Sequence, residues 1–176
     1  MKGSIVKCLS ELIKSNFGEQ KWKEILQQSG ENPNMLIRAL SDVDDVTFFL
    51  IFENTCKVLN LSKQQACDAF GDYWMNTFAP QLYGAYYVKF KNAKQFIMGM
   101  DNVHETVTNI VPNARPPRFT IEEADENTII VTYMSTRNMI DFYIGLVKGV
   151  GNYFKTPIDI KKLSEEQVEL TFSCQD

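Results

Sequence analysis

Apolar residues recur every three or four positions from Ile5 to Val111, which predicts a series of amphipathic helices. Five helices are expected, and the fourth should end at Pro80, before a tyrosine-rich connection with Tyr83, Tyr86 and Tyr87. The predicted caps and breakers, in chain order, are Gly18, Gly30, Asp42 and Asp44, Ser62 with Gln65, Pro80, Asn92 and Pro112.

The pattern changes after Pro112, where β-branched residues alternate with polar ones. RFTIEE and TIIVTY flank a polar turn and predict one hairpin, and TPIDIKKL and QVELTFSC predict a second. The segment NMIDFYIGLVKGVGNYF between them predicts a helix. The whole order predicts an α+β fold in a single domain, 1–176. An N-terminal helical half is followed by a β-β-α-β-β half with a four-stranded antiparallel sheet.

Composition narrows the functional classes. Of 176 residues, 44% are hydrophobic, which is enough for a core. Lys and Arg number 18 against 22 Asp and Glu, a net charge of −4, so a nucleic-acid partner is not expected. The apolar residues of the N-terminus are interrupted by Lys7, Ser10 and Lys14. We therefore expect a cytoplasmic protein without a signal peptide or membrane partner.

The four cysteines do not form a recognisable site. Cys8, Cys56, Cys67 and Cys174 are widely spaced, with no C-x-x-C pair. Four reduced thiols are the expected state, because zinc cages and redox dithiols need closely spaced ligands.

The single histidine, His104, lies on the same predicted helix face as Ile97, Met100, Val107 and Val111. A buried histidine bonded to a nearby carbonyl is the ordinary interpretation of this pattern. A metal ligand is the alternative. Because no Cys/His cluster surrounds His104, such a metal would have to arrive within a cofactor, as haem iron does with a single proximal histidine.

Tyr133, Ser135 and Arg137 alternate along a strand, so their side chains are expected on one face. Two hydroxyls and a guanidinium could together hold an anionic group such as a carboxylate. The alternative is that Ser135 caps the helix beginning near Asn138, with Arg137 solvated and Tyr133 an ordinary strand residue.

The segments MKGSIV, FGDYW, MDNVHETV, ARPPRF and YMSTRN, in this order, resemble the H-NOX family, the haem-nitric oxide/oxygen binding domains related to the haem domain of soluble guanylate cyclase. The resemblance implies that haem b lies between the two halves, with His104 as proximal iron ligand and Tyr133, Ser135 and Arg137 on the propionates. It also implies that Pro117 presses on the porphyrin. The residues implied to line the haem cavity are Ile5, Leu9, Trp74, Phe78, Phe142 and Leu146.

Phe142 departs from the oxygen-binding members of that family, which have a tyrosine at the matching position. Bound dioxygen carries negative charge and benefits from a hydrogen-bond donor, whereas NO and CO need none. We therefore expect a sensor that binds nitric oxide and CO and discriminates against oxygen. Tyr143 or Trp74 could still serve as a donor, which leaves an oxygen-binding protein as the alternative.

The resemblance further implies a stand-alone sensor and no enzyme activity. NO would weaken the bond from His104 to iron, the haem would relax against Pro117, and the helix of His104 would move. A signalling histidine kinase or a cyclic-dinucleotide enzyme is the expected partner, and Asp101, Asn102 and Glu105 form a candidate contact face. A haem enzyme or a Cys–His enzyme lacks supporting residues, and the intact motif argues against a haem-free interaction module.

Overall fold

The computed structural model describes residues 1–173, and the chain divides into two compact units, Met1–Ala66 and Cys67–Asp176. The described residues form seven α-helices, one π-helix and four strands. The helices are α1 (Gly3–Phe17), α2 (Glu19–Gln28), α3 (Asp45–Leu59), α4 (Lys63–Tyr73), the π-helix (Trp74–Phe78), α5 (Ala79–Tyr87), α6 (Ala93–Ile110) and α7 (Ile140–Phe154). The strands are β1 (Arg118–Glu123), β2 (Thr128–Met134), β3 (Ile158–Lys162) and β4 (Gln167–Phe172).

The first unit contains α1 to α3, whose boundaries follow the predicted caps. Gly18 ends α1 with a φ of 85°, a conformation that glycine adopts without strain. The Asp44 side chain caps α3 by accepting from the Val46 N–H at 2.8 Å. Asp42, also predicted as a cap, instead forms an ion pair with Lys2 at 2.5 Å. Asp44 takes the cap position because it directly precedes the first helical residue.

Pro80 does not end the fourth helix, so this prediction was wrong. The π-helix follows α4 directly and leads into α5, with the Ala79 N–H bonded to the Trp74 carbonyl five residues earlier. Pro80 lies in the first turn of α5, where the missing proline N–H leaves no hydrogen bond unmade. Tyr83 and Tyr87 therefore fall within α5, but Tyr83 has a non-helical φ of −126° and ψ of 18°, so a kink stands where the connection was expected.

The second unit confirms the predicted sheet. Its four strands pair antiparallel in the order β1-β2-β4-β3, so each hairpin forms as expected and β2 pairs with β4 between them. Alternate residues of β2 are buried, and those of β4 are buried likewise. These inward residues are Ile129, Val131 and Tyr133 on β2 and Val168, Leu170 and Phe172 on β4. The sheet core also includes residues of α6 and α7, which places the predicted site residues next to it.

Helices α4 and α7 approach so closely that side chains are excluded at their contact. A Cβ on Gly145 would overlap the Cys67 carbonyl, and a Cβ on Gly149 would overlap the Gly71 backbone. Glycine therefore brings the two helix backbones together at these positions. Across residues 1–173, no helix has the length and apolar character needed to span a membrane.

Candidate functional site

His104 lies on α6 with its ring partly buried. Its Nδ1 is 2.8 Å from the Pro117 carbonyl oxygen. Because a carbonyl can only accept, Nδ1 carries the proton, and Nε2 of the neutral ring keeps its lone pair. Burial lowers the pKa of His104, although the Pro117 bond and the Asp101 charge act in the opposite direction. The ring is thus held in the form that binds a metal.

Asp101, one turn before His104, fastens α6 to β1. Its carboxylate accepts from Arg118 Nε at 2.7 Å and Nη2 at 2.6 Å, and from the Phe119 N–H at 2.8 Å. The Arg118 guanidinium is the main reason why the pKa of Asp101 falls to about 2. Asn102 and Glu105 of the candidate contact face are exposed. The Asp101 carboxylate instead makes hydrogen bonds to β1.

Of the predicted motif only Tyr133 lies on a strand, because β2 ends at Met134 and both Ser135 and Arg137 follow in the segment before α7. The Tyr133 hydroxyl is hydrogen-bonded to the Ser135 side chain and to the Met139 backbone, while burial raises the pKa of Tyr133 overall. Ser135 Oγ accepts from the Arg137 N–H at 3.2 Å. The capping alternative for Ser135 was wrong, because α7 begins after Met139 and has no side-chain cap bond.

The segment 115–117 joins the two predicted parts of the site. Arg137 Nη1 donates to the Arg115 carbonyl at 2.7 Å, and the Pro117 carbonyl is bonded to His104. Both carbonyls are free for side chains because prolines at 116 and 117 supply no N–H and resist regular secondary structure. Sequence patterns had not indicated this connection, although the double proline in ARPPRF is a visible signal.

Four aromatic rings form what we call the His104 cluster: His104, Phe119, Tyr133 and Tyr143. The ring centroids of His104 and Phe119 are 5.4 Å apart, and Phe119 lies 5.0 Å from Tyr143. Tyr133 and Tyr143 are 5.7 Å apart. Burial raises the pKa of Tyr143. Tyr143 therefore packs on Phe119, the ring that His104 also contacts.

Five other rings form what we call the Trp74 cluster: Phe70, Trp74, Phe78, Tyr83 and Phe142. Trp74 lies 6.0 Å from Phe70, 5.4 Å from Phe78 and 6.3 Å from Tyr83. Phe142 contacts Phe70 edge-on at 5.4 Å. The sequence did not indicate Phe70 or Tyr83, although Phe70 stands one helical turn before Trp74.

The remaining predicted site residues lie on helices. Leu146 follows Phe142 by one turn of α7 and is partly buried. Ile5 and Leu9 lie one turn apart on α1 of the first unit, where Leu9 is fully buried. Of the cysteines, Cys8 and Cys67 are buried and Cys56 is partly buried, all as free thiols, while Cys174 lies outside the described residues.

The donor set fits a haem. His104 offers one metal-binding nitrogen, and within residues 1–173 no group of three or more His, Cys, Asp or Glu side chains could hold a bare metal ion. Tyr133, Ser135 and Arg137 offer hydroxyl and guanidinium donors of the kind that bind carboxylates. The apolar rings near them suit a flat, hydrophobic cofactor.

Comparison with known proteins identifies a family and several relatives. The model of the haem-NO-binding family matches residues 2–162. Soluble guanylate cyclase gcy-32 of Caenorhabditis elegans is 26% identical over 158 residues, which cover 85% of this chain and 22% of the relative. Soluble guanylate cyclase gcy-31 of the same organism is 26% identical over 94% of this chain and 24% of its own length. The chain thus spans about a fifth to a quarter of these relatives.

Solved H-NOX structures superpose on this chain over almost its full length. An oxygen-binding H-NOX domain related to soluble guanylate cyclases, in its oxygen complex, superposes with a TM-score of 0.84 at 25% identity, covering 99% of this chain and 96% of that one. A Cs H-NOX mutant superposes with a TM-score of 0.88 at 25% identity, covering 99% and 97%. Fold, motif and family match lead to one conclusion: this chain belongs to the haem-NO-binding, or H-NOX, family of haem-binding gas sensors.

Proposed function

We propose that the chain is a haem sensor that binds nitric oxide and CO, discriminates against oxygen and signals to a partner protein. The observation that carries this proposal is the hydrogen bond from His104 Nδ1 to the Pro117 carbonyl, which leaves Nε2 unprotonated. His104 would therefore ligate the iron of haem b. Tyr133, Ser135 and Arg137 would hold the propionates, and Pro117 would press on the porphyrin.

When bound, a ferrous haem supplies a coordination position for a diatomic gas. The side chains of the second unit that would line its cavity are apolar or aromatic: Trp74, Phe78, Phe142 and Leu146. Such surroundings keep competing polar ligands out and give a polar gas no hydrogen bond.

Discrimination against oxygen is assigned to the Trp74 cluster. Phe142 contributes a ring with no hydrogen-bond donor where a donor would favour oxygen. Tyr143 packs on Phe119 and Tyr133 of the His104 cluster, whereas Phe142 packs on Phe70 of the Trp74 cluster. Trp74 shares the cluster of Phe142 and carries an indole N–H. An oxygen-binding protein that uses Trp74 is therefore the second candidate.

Signalling would be a movement of α6. The His104 ring is bonded to the Pro117 carbonyl, and Asp101 holds the same helix to β1. A displacement of His104 therefore changes both the helix and segment 115–117. The exposed Asn102 and Glu105 would present that change to a histidine kinase or a cyclic-dinucleotide enzyme. The sensor itself would catalyse no reaction and would act in the cytoplasm.

The test is the visible absorption spectrum of the reduced, haem-loaded protein under argon, in air, with CO and with NO. We expect a five-coordinate ferrous spectrum that brief air exposure leaves unchanged and that CO and NO each shift. A stable oxygen spectrum would contradict the discrimination and favour the Trp74 alternative. A protein that takes up no haem would contradict the sensor function itself.

A further inference from the structure

A small polar network at the surface connects the π-helix to α4 and α7. Asp72 Oδ1 accepts from Asn76 Nδ2 at 3.0 Å and from Asn152 Nδ2 of α7 at 2.7 Å. Asn76 Nδ2 also donates to the Asp72 carbonyl at 3.1 Å and to the Gly149 carbonyl at 3.2 Å. One carboxylate oxygen thus links α4, the π-helix and α7.

Close helix packing makes this network possible. Because a Cβ on Gly149 would overlap the Gly71 backbone, the two helices lie near enough for Asn76 to reach a carbonyl of α7. A π-helix, in which each N–H bonds to the carbonyl five residues earlier, is rare and is frequently found at functional sites. Such a segment needs support from side chains to persist in place of an ordinary α-helix.

The same π-helix sets the position of Trp74 and Phe78. In a helix with more residues per turn, side chains four apart stack more directly, and these two rings are 5.4 Å apart. The Trp74 indole is partly buried, and its N–H makes no hydrogen bond to any residue in the described part of the chain. Trp74 therefore carries a spare donor in the cluster that contains Phe142, since both rings contact Phe70.

We propose that Asp72 is a positioning residue that, by accepting hydrogen bonds from both Asn76 and Asn152, fixes the Trp74 indole in the wall that faces the gas. The proposal rests on the proposed haem function and adds a residue that sets gas specificity without touching the gas. Loss of the Asp72 side chain frees the Asn152 amide, leaves Asn76 bonded only to backbone carbonyls and so removes the side-chain link between the π-helix and Asn152.

The expected consequence is a change in how Phe78 packs on the Trp74 ring. A change of one residue in helical register turns a side chain by about 100° around the helix axis. If the π-helix returned to α-helical hydrogen bonding, Phe78 at its C-terminal end would turn by about this angle relative to Trp74. The stacking of Trp74 on Phe78 would change as a result. The indole N–H would then reach positions that it does not occupy in the native protein.

The chain provides a matched control. Asp68, one turn before Asp72 on α4, accepts from Lys148 Nζ of α7 at 2.7 Å. This pair also ties α4 to α7, but it does not reach the π-helix. Each of the two variants, Asp68→Ala and Asp72→Ala, removes one carboxylate and one side-chain hydrogen bond between α4 and α7. Alanine favours helix at both positions.

The first readout is ¹⁹F NMR of protein labelled with 5-fluorotryptophan. The chain contains two tryptophans, and Trp74→Phe assigns their resonances. We expect Asp72→Ala to shift or broaden the Trp74 resonance, while Trp22, buried in the first unit, stays unchanged and reports intact folding. Asp68→Ala should leave both resonances in place. Asp72→Asn keeps an acceptor oxygen and should restore the native Trp74 resonance.

The second readout is the C–O stretching frequency of the CO complex, which falls when a hydrogen-bond donor approaches the gas. We expect a lower or broader band in Asp72→Ala, a native band in Asp68→Ala and Asp72→Asn, and loss of the effect in Asp72→Ala combined with Trp74→Phe. A native Trp74 resonance or a native band in Asp72→Ala would overturn the proposal. Failure of the unmodified protein to bind haem would overturn the proposed function instead, and the NMR result would still decide the role of Asp72.

Discussion

Replacement of Asp101 by asparagine tests how firmly the helix of His104 is held to the sheet. Asparagine keeps the shape and one acceptor oxygen for the Phe119 N–H but removes the charge that Arg118 contacts through two nitrogens. Charged, two-point contacts of this kind are the strong form of a hydrogen bond. The variant should fold normally and be less stable.

The magnitude follows from the pKa of Asp101. The carboxyl pKa falls from its ordinary value of 3.8 to about 2, chiefly through the hydrogen bond with Arg118. One pKa unit corresponds to about 1.36 kcal/mol, so the charged Asp101 side chain contributes at most about 2.5 kcal/mol to the free energy of unfolding. The Arg118 side chain is 44% exposed, and solvent screens exposed ion pairs. We therefore expect Asp101→Asn to lower the free energy of unfolding by about 1–2 kcal/mol.

The pH dependence has a defined sign. Because the pKa of Asp101 is lower in the folded state, its contribution is fully present above about pH 4 and is lost as the pH falls through about 2. The advantage of the unmodified protein over Asp101→Asn should be equal at pH 7 and pH 5 and fall to about half at pH 3.

Urea unfolding followed by circular dichroism at these three pH values measures the difference. Asp159→Asn, which removes an exposed carboxylate from β3, serves as the control for a general change of charge. The reasoning is refuted if Asp101→Asn is as stable as the unmodified protein at pH 7, or if its deficit stays constant down to pH 3.

Three substitutions, each paired with a control variant, test the proposed roles of His104, Arg137 and Phe142. His104→Gly should abolish haem retention unless free imidazole is added, while Asn102→Gly on the same helix should retain haem; an unchanged spectrum without imidazole would exclude His104 as the ligand. Arg137→Ala should weaken haem affinity roughly 10- to 100-fold, because a charge-assisted hydrogen bond is lost. Arg137→Lys should recover part of that affinity, and full occupancy in the alanine variant would contradict the assignment. Phe142→Tyr should raise oxygen affinity roughly 3- to 10-fold by adding a neutral donor, whereas Tyr143→Phe should not change it; equal oxygen affinity in both variants would contradict the two-cluster assignment.

The sequence predicts the fold well where local signals act alone. Gly18 and Asp44 end and begin helices by their own backbone and side-chain preferences, and the structure confirms both. Pro80 misled the prediction because the effect of proline depends on what precedes it. The π-helix turns the residues around Pro80 into a new first turn, and a π-helix depends on the contact between α4 and α7. No local pattern contains that distant contact.

Within the site, too, local sequence patterns do not predict every side-chain position. The sequence predicts Tyr133, Ser135 and Arg137 on one strand face, but β2 ends at Met134 and a local turn brings the Arg137 N–H to Ser135 Oγ. It does not indicate whether Phe142 or Tyr143 meets the gas, because a helix turns by about 100° between adjacent residues and either side chain could face inward. The rotation of α7 is set by its glycine contacts with α4 and by the packing of Tyr143 on Phe119. Gas selectivity in this chain would thus depend on helix packing as much as on the identity of the residue at position 142.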